Sequence, residues 1–441
     1  MTSFSYPPIH PLERLNVTDG LLLNAELWQL AHYYHRQRQN IHYQALNQGG
    51  IVCGLGLSLI EPGGEIKAEY RDRRWLRIQP GIAIDSRGNP IIVSESLDFH
   101  LASVAEKEPL WVYLVLRYVD PEKLQWKTSP TIVRETFRLD EKTTLPTDQE
   151  VELCRILLQP GNLELSHPVD VFHPGFNQLD LRSRVQVQAK AKGFVRVAYA
   201  VQEGTREPQR EEQWGELLCA LPALYPALVG DPQVTAINLA QSSLEQLIGY
   251  TLLSVKHQQF VKLNEAETQR LKEYVAQGGL IVVDLPAWET VIDELKVIEK
   301  DLMEAIADIG DNQGLQDAKN QLIQELEAIQ QETSHQINQL KTEAQHLVET
   351  FGVNTPNSGQ LDRHHPLRRL PFLFSQYPIV SNKPIEFLNW GGIVFIIGNL
   401  IQSWGIDEEF AQTRESIRTN HEMGINLLHF AWWRRQMIQA R

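Results

Sequence analysis

Apolar positions recur at helical spacing after Asn24. Leu27, Leu30, Ala31, Tyr34, Ile41 and Ala45 share one stripe, and Asn24 is a suitable N-cap with Glu26 in the first turn. A helix of about twenty residues is therefore predicted, stopping at Gly49-Gly50. The period then changes to short alternating runs: Ile51 to Ile60, Ile66 to Tyr70, Trp75 to Ile78, Ile82 to Ile84, Pro90 to Val93, Trp111 to Val119 and Val151 to Leu158. Such runs predict an all-β region. Asp85-Ser-Arg-Gly-Asn89 joins two of them and has the residues of a tight reversal.

From Lys192 the pattern alternates between strand and helix. Gly193 to Ala200 reads as strand, Trp214 to Leu228 as helix and Tyr250 to Val255 as strand. Asn264 to Gln277 then reads as a helix that ends at Gly278-Gly279 and runs into the strand Leu280 to Leu285. Helix, glycine, strand is half of a parallel α/β unit. Val291, Leu295, Ile298, Leu302, Ala305 and Ile309 follow at 4-3-4-3-4 spacing, a heptad seam, before Gly310-Asp-Asn-Gln-Gly314 breaks the helix. A second stripe, Leu322, Leu326, Ile329, Thr333, Leu340 and Leu347 with Gln336 or Ile337 in the gap, predicts a helix of about 36 residues and about 50 Å. The two should fold back on each other as an antiparallel coiled coil lying outside the α/β core.

The expected fold class is thus a multi-domain α+β chain: an N-terminal helix plus all-β domain, then an α/β domain interrupted by a long helical hairpin. The expected segments are an arm and helix over 1–50, a β-rich domain over 51–190, α/β halves over 191–286 and 351–441, and the hairpin over 287–350. A length of 441 residues is too great for one ordinary core and suits two or three domains.

Charge and chemistry narrow the function. The chain has 41 Lys and Arg against 55 Asp and Glu, a net of −14, which disfavours a surface that tracks phosphates, so nucleic acid is not an expected partner. Most of the excess lies in residues 287–350, with 14 Asp and Glu against 4 Lys, a net of −10. The three cysteines, Cys53, Cys154 and Cys219, form no Cys-x-x-Cys pair and suit a reducing cytoplasm. Cys53 between apolar neighbours and Cys219 in a helical apolar pattern are expected to be buried and inert. The N-terminus lacks a basic leader and an apolar core, which argues against a cleaved signal peptide. Ile385 to Ile401 is interrupted by polar residues and glycines and reads as buried strand rather than a bilayer span.

Several groups could carry chemistry. His32, His35 and His42 lie near one helical face, and His364-His365 adjoin Asp362, but no carboxylate completes a ligand set at i+3 or i+4, and no metal or cofactor is assigned. Lys256, His257 and Asp284 lie at the ends of predicted strands, where α/β folds bind ligands, and their convergence on a reactive thiol would favour a hydrolase or ligand-binding domain. The closing Trp432-Trp433-Arg434-Arg435 suits either a peripheral membrane tether or a docked terminal helix. The aromatic and basic residues of the first helix, Trp28, Tyr34, His35, Arg36 and Arg38, suit partner recognition, with packing on the chain's own β domain as the competing role. Leu322, Leu326, Ile329 and Leu340 are the corresponding candidates on the hairpin, which must pack on itself, on a copy or on another protein.

Two resemblances bear on these choices. Leu23-Asn-Ala-Glu, then Tyr34-His-Arg-Gln-Arg, then Gly50-Ile-Val-Cys-Gly-Leu55 resembles a protein family encoded with phage-tail-like contractile injection systems, over about the first ninety residues. Phe194-Val-Arg-Val-Ala-Tyr199, Phe260 to Leu263, and Leu271 to Asp284 through Gly278-Gly279 resemble an uncharacterised bacterial family with a class I glutamine-amidotransferase-like, flavodoxin-like fold. That second resemblance resumes at His365-Pro-Leu367, Gly392 to Ile397 and Gly424 to Phe430. No Gly-x-Cys-x-Gly turn accompanies it, so the amidotransferase nucleophile is missing. Together they imply a non-catalytic structural protein of an injection particle, associated with the baseplate or the membrane-facing end. Its implied partners are other particle subunits, with several copies per particle, in the cytoplasm or beside a membrane.

Overall fold

A computed structural model describes residues 10–61, 72–120, 132, 134–161, 164–201, 206–285, 291–309, 315–352, 359–380, 383–406 and 412–440. The expected run Ile66 to Tyr70 and the break Gly310 to Gly314 lie outside them. The chain forms two compact units, Met1–Lys190 and Ala191–Arg441.

In the first unit, helix α1 (Ala25–Leu46) begins where the Asn24 side chain accepts the Leu27 amide at 2.8 Å. Three antiparallel sheets follow. One joins Gly50–Gly54, Gly81–Ile84 and Pro90–Val93, and another joins Leu57–Ile60, Trp75–Ile78 and Leu97–His100. The third places Leu110–Val119 between Thr136–Lys142 and Glu150–Leu158. Alternation builds their shared core: Leu76 and Ile78 are fully buried, while Arg77 between them points out to Asp98 at 2.7 Å. In Glu150–Leu158 a bulge between Glu152 and Cys154 resets that alternation, so adjacent Leu153 and Cys154 are both buried. The strands Leu97–His100 and Thr136–Lys142 were not legible, because their polar residues mask the period.

The Asp85 to Asn89 reversal forms as expected. The Asp85 carboxylate accepts the Arg87 and Asn89 amides at 2.9 and 2.8 Å, and Gly88 takes a positive φ of 79°. Burial pushes the Asp85 carboxyl above its usual range despite these bonds.

The second unit is a three-layer α/β fold. Its six-stranded sheet contains β1 (Val197–Val201), β2 (Thr235–Asn238), β3 (Leu252–Lys256), β4 (Leu280–Leu285), β5 (Glu386–Trp390) and β6 (Ile393–Ile397), in the order β2-β1-β3-β4-β6-β5. All neighbours are parallel except the edge pair β5–β6. The five parallel strands have the flavodoxin-like order, with one antiparallel strand added. β4 and β6 are buried along their whole lengths, as strands covered on both faces must be.

Odd and even residues of these strands feed two separate cores. On one face Val197, Tyr199, Leu252, Val282 and Ile396 pack with α2 (Pro208–Leu224) and the closing helix, Arg414–Gln439. On the other, Ala198, Leu253, Val283 and Phe395 pack with Phe260 of the short helix His257–Val261 and with Leu271 and Tyr274 of Glu265–Ala276. α2 starts six residues before the expected Trp214, at Pro208, and ends at Leu224. Its polar first turn hid the start, and Leu228 belongs instead to a short strand paired with Gly193–Val195.

The hairpin consists of α3 (Val291–Ile309) and α4 (Gln316–Thr350). Two features differ from expectation. The buried seam of α3 runs through Ile292, Leu295 and Glu299, whereas Val291 and Ile298 are 56% and 43% exposed. Glu299 explains the shift, since a carboxylate in a seam breaks the apolar pattern. It accepts Lys296 at 2.6 Å and Gln330 of α4 at 3.0 Å. Burial pushes its carboxyl up, but those bonds outweigh burial and hold it below the usual range. The hairpin is also not wholly outside the α/β core. α4 has 35 residues against 19 in α3, and its unmatched end brings Ala344 and Val348 into the core beside Phe260 and Phe351.

Candidate functional site

α1 has 22 residues, none of them buried. Its second half is fastened to the β unit. Arg36 pairs with Asp120 at 3.3 Å, the Asn40 and Asn89 side-chain amides meet at 2.7 Å, and Gln44 donates to the Arg87 carbonyl. Gly88 sits so close to Asn40 that a Cβ there would lie 2.4 Å from its carbonyl oxygen. The Lys190 amide closes the end on the Leu46 carbonyl at 2.8 Å. The first half stands clear: Trp28 is 57% exposed and Tyr33 43%. Of the expected contact residues, Trp28, His35 and Arg38 are exposed, Tyr34 is half-buried, and Arg36 is engaged within the unit. Asp120 lies 84 residues from Arg36, and no local pattern could have paired them. Val17, Leu21, Leu22 and Leu23, ahead of the helix, are also exposed.

On the hairpin, Leu322, Leu326 and Ile329 are half-buried along the seam of α4, and Leu340 packs at the edge of the α/β core. These four therefore hold the hairpin together and root it. The hairpin's exposed large apolar side chains are others: Val291, Val297, Ile298 and Met303 on α3 and Ile323 on α4.

The carboxyl ends of the parallel strands were the expected place for chemistry. Lys256 and Asp284 are register partners on β3 and β4, but their side chains have separate company. Lys256 pairs with Glu207 at 2.9 Å, and buried Asp284 accepts Gln402 at 3.4 Å. Buried Arg210 donates to Ser254 at 2.7 Å. His257 is half-buried at the start of its short helix. No cysteine joins these groups. Cys219 lies on α2 outside its buried face and is exposed, and Cys53 is exposed too, so both depart from the burial expected of them. Cys154 alone is buried, and burial pushes its thiol up to about 12. Among the described residues the ends of the strands thus hold one ion pair, Lys256–Glu207, with Asp284 and Arg210 hydrogen-bonded to neutral side chains, and no thiol beside them.

A cavity of ≈ 700 Å³ lies elsewhere, between edge strand β2 and the short helix Leu244–Ile248, lined by Arg196, Thr235, Asn238, Glu245, Gln246 and Tyr250 among others. Arg196 there is occupied by Asp231 at 3.4 Å and by the Tyr250 ring at 5.2 Å. Neither thiol nor imidazole lines it.

The remaining histidines and the closing motif have structural partners. His365 Nδ1 accepts the Leu367 amide at 3.2 Å, which leaves Nε2 to donate to Asn389 at 3.3 Å. Burial holds its pKa below the ordinary value. His32, His35 and His42 are all exposed, and among the described residues no three His, Cys, Asp or Glu side chains gather as a cation site. Arg434 donates to the carbonyls of Gly279 and Val275 at 2.8 and 3.1 Å, and Arg435 to those of Ile248 and Tyr250 at 2.7 and 3.2 Å. Trp432 packs against the first core. This is the docked-helix arrangement, with the basic groups turned to backbone rather than outward. No helix among the described residues is long and apolar enough to cross a membrane.

Comparison with known proteins adds little to this geometry. No protein-family model matches the chain, and no curated protein does. The solved structures that match include the crystal structure of TssK, at a TM-score of 0.25 and 9% identity over 80% of this chain. The chain spans 65% of the TssK chain's length. A likeness at that score fixes neither fold nor role.

Proposed function

We propose that this chain is a non-catalytic structural component of a phage-tail-like contractile injection system, associated with its baseplate, that works through protein–protein contacts. The observation that carries the reading is α1, a helix with no buried residue whose second half is fastened to the β unit while its aromatic first half is presented. Exposed Trp, Tyr and Arg clustered on a firmly seated helix are the side chains that dominate interface energetics. The N-terminal resemblance to injection-system proteins falls on this same helix and the strand Gly50–Gly54. At the described strand ends Lys256 is taken up by Glu207 and no cysteine lies beside it, which supports a scaffold role for the α/β unit, since a fold alone does not establish catalysis.

The test replaces Tyr34 and Arg38 together with Ala. Arg38 is exposed and Tyr34 half-buried, so the isolated protein should keep its circular dichroism spectrum and unfolding midpoint while failing to co-purify with particles. Normal recovery of the double variant in particles defeats the docking role of α1. Turnover of a small molecule by the purified chain, abolished by one substitution at Lys256 or Asp284, defeats the non-catalytic reading.

A further inference from the structure

The seam of the hairpin uses only part of the apolar surface of α3. Val291 and Ile298, one heptad apart, stay 56% and 43% exposed on the flank of that seam. Three residues further on, Glu294, Asp301 and Asp308 form a parallel row about 60° round the helix. All three are exposed, and none makes an ion pair among the described residues.

The Glu299–Gln330 bond identifies the opposite flank. Glu299 lies about 100° from Ile298 in the other rotational sense, so the apolar row and the acidic row face away from that bond. On α4, Glu325 and Glu332 lie about 140–160° from Gln330 and therefore belong to the same face as the α3 row. The result is an apolar strip between two acidic rims. A second copy of the hairpin would set one segment of net −10 against another, which like-charge repulsion opposes.

We infer that this face of the hairpin is a docking groove for a basic amphipathic helix of another particle protein. The apolar stripe of that helix would cover Val291 and Ile298, and its Lys or Arg residues would meet Glu294, Asp301 and Asp308 on one side and Glu325 and Glu332 on the other. This is the pairing of a third coiled-coil strand, with apolar contact for affinity and flanking charge for choice of partner. The inference rests on the reading of the chain as an assembly component and names the partner chemistry for its hairpin.

The probe is a fluorescent three-heptad peptide with Leu at the seam positions and Lys at the flanking ones, titrated with the full-length chain by anisotropy. Binding should weaken at least tenfold when Glu294, Asp301 and Asp308 are all changed to Lys, and should hold within twofold when Asp317, Glu327 and Glu349 are changed instead. The second triple makes the same change in net charge on other parts of the hairpin. A peptide with Glu in place of Lys should not bind. Equal weakening by both triples, or no binding of the Lys peptide, overturns the groove. Self-association of the chain that is lost in Ile298→Lys would instead assign the face to a second copy and overturn it too. If E294K/D301K/D308K enters particles normally while Tyr34→Ala with Arg38→Ala does not, the groove fails and the particle role stands. If the unaltered chain is absent from particles, the role itself fails.

Discussion

Removing residues 289–349 and bridging the gap with a short Gly-Ser linker should destabilise the α/β unit, because the last turns of α4 are part of its second core. Val348 is fully buried and Ala344 is 3% exposed, with Leu340 and Leu347 half-buried beside them. At roughly 25 cal/mol per Å2, burial of one Val side chain, one Ala methyl and two half-covered Leu side chains stabilises by about 4–7 kcal/mol. That is a large share of the about 5–15 kcal/mol that holds a domain folded. The Lys341–Glu386 ion pair at 3.3 Å, between α4 and β5, is lost as well. A shorter cut over 299–330 removes the free part of the hairpin and leaves 340–351 in place, so it should not shift the unfolding midpoint of the α/β core. Urea unfolding followed through tryptophan fluorescence reports on that core, since Trp214 and Trp404 lie in its other half at 0% and 1% exposure. Phe351→Ala supplies an independent measure. Its ring stacks on Phe260 at 4.9 Å, and truncation should cost about 3–5 kcal/mol. A 289–349 deletion that unfolds at the midpoint of the full chain would refute the reasoning, as would a 299–330 deletion that loses equally.

Other consequences are directly measurable. A thiol reagent should label Cys53 and Cys219 in the native protein, while Cys154, 1% exposed and with its thiol pushed up to about 12, should react only after unfolding; three reactive native thiols would contradict its burial. Burial holds His365 and His429 below the ordinary imidazole pKa, with Lys192 adding to the effect on His429. Their contribution to stability is complete above the unfolded value of about 6.5 and is lost as pH falls through the depressed folded values. The urea midpoint of the second unit should therefore drop between pH 7 and pH 5, and less so in His429→Phe; equal midpoints at both pH values would tell against this. Asn426, fully buried, donates to the Leu367 and Phe372 carbonyls at 2.9 and 2.7 Å and accepts the Phe372 amide at 2.9 Å. Asn426→Leu leaves one buried and two part-buried backbone groups without their partner and should cost about 2–3 kcal/mol in thermal unfolding; an unchanged Tm would deny that network a structural role.

Much of the fold was legible because it is local. Asn24 caps its helix as read, the helix expected from Asn264 begins there, with Asn264 as its cap, and Gly278-Gly279 links helix to strand at the expected place. The Asp85 to Asn89 reversal and the two hairpin helices also form where their short-range patterns put them. Less of the candidate site was legible. The aromatic first half of α1 reads as exposed in the sequence and is exposed in the structure, but nothing near Arg36 announced that Asp120 would claim it. Cys53 and Cys219 were misjudged because apolar neighbours in sequence do not say which way a single side chain points.

Periodicity records how each segment divides itself between water and interior, and that division alone determined α1, the helix Glu265–Ala276, the acidic hairpin, the longer strands and the change to α/β alternation after Lys192, but not the short helices Leu244–Ile248 and His257–Val261. It cannot report which distant segment supplies the interior. Tertiary structure therefore decided the edge position of Thr235–Asn238, the bulge that buries both Leu153 and Cys154, and the carboxylate of Glu299 in a seam. It also decided that α4 ends inside the α/β core. In each case a bond or contact between residues far apart in sequence outweighs a local preference worth only a fraction of a kcal/mol per residue.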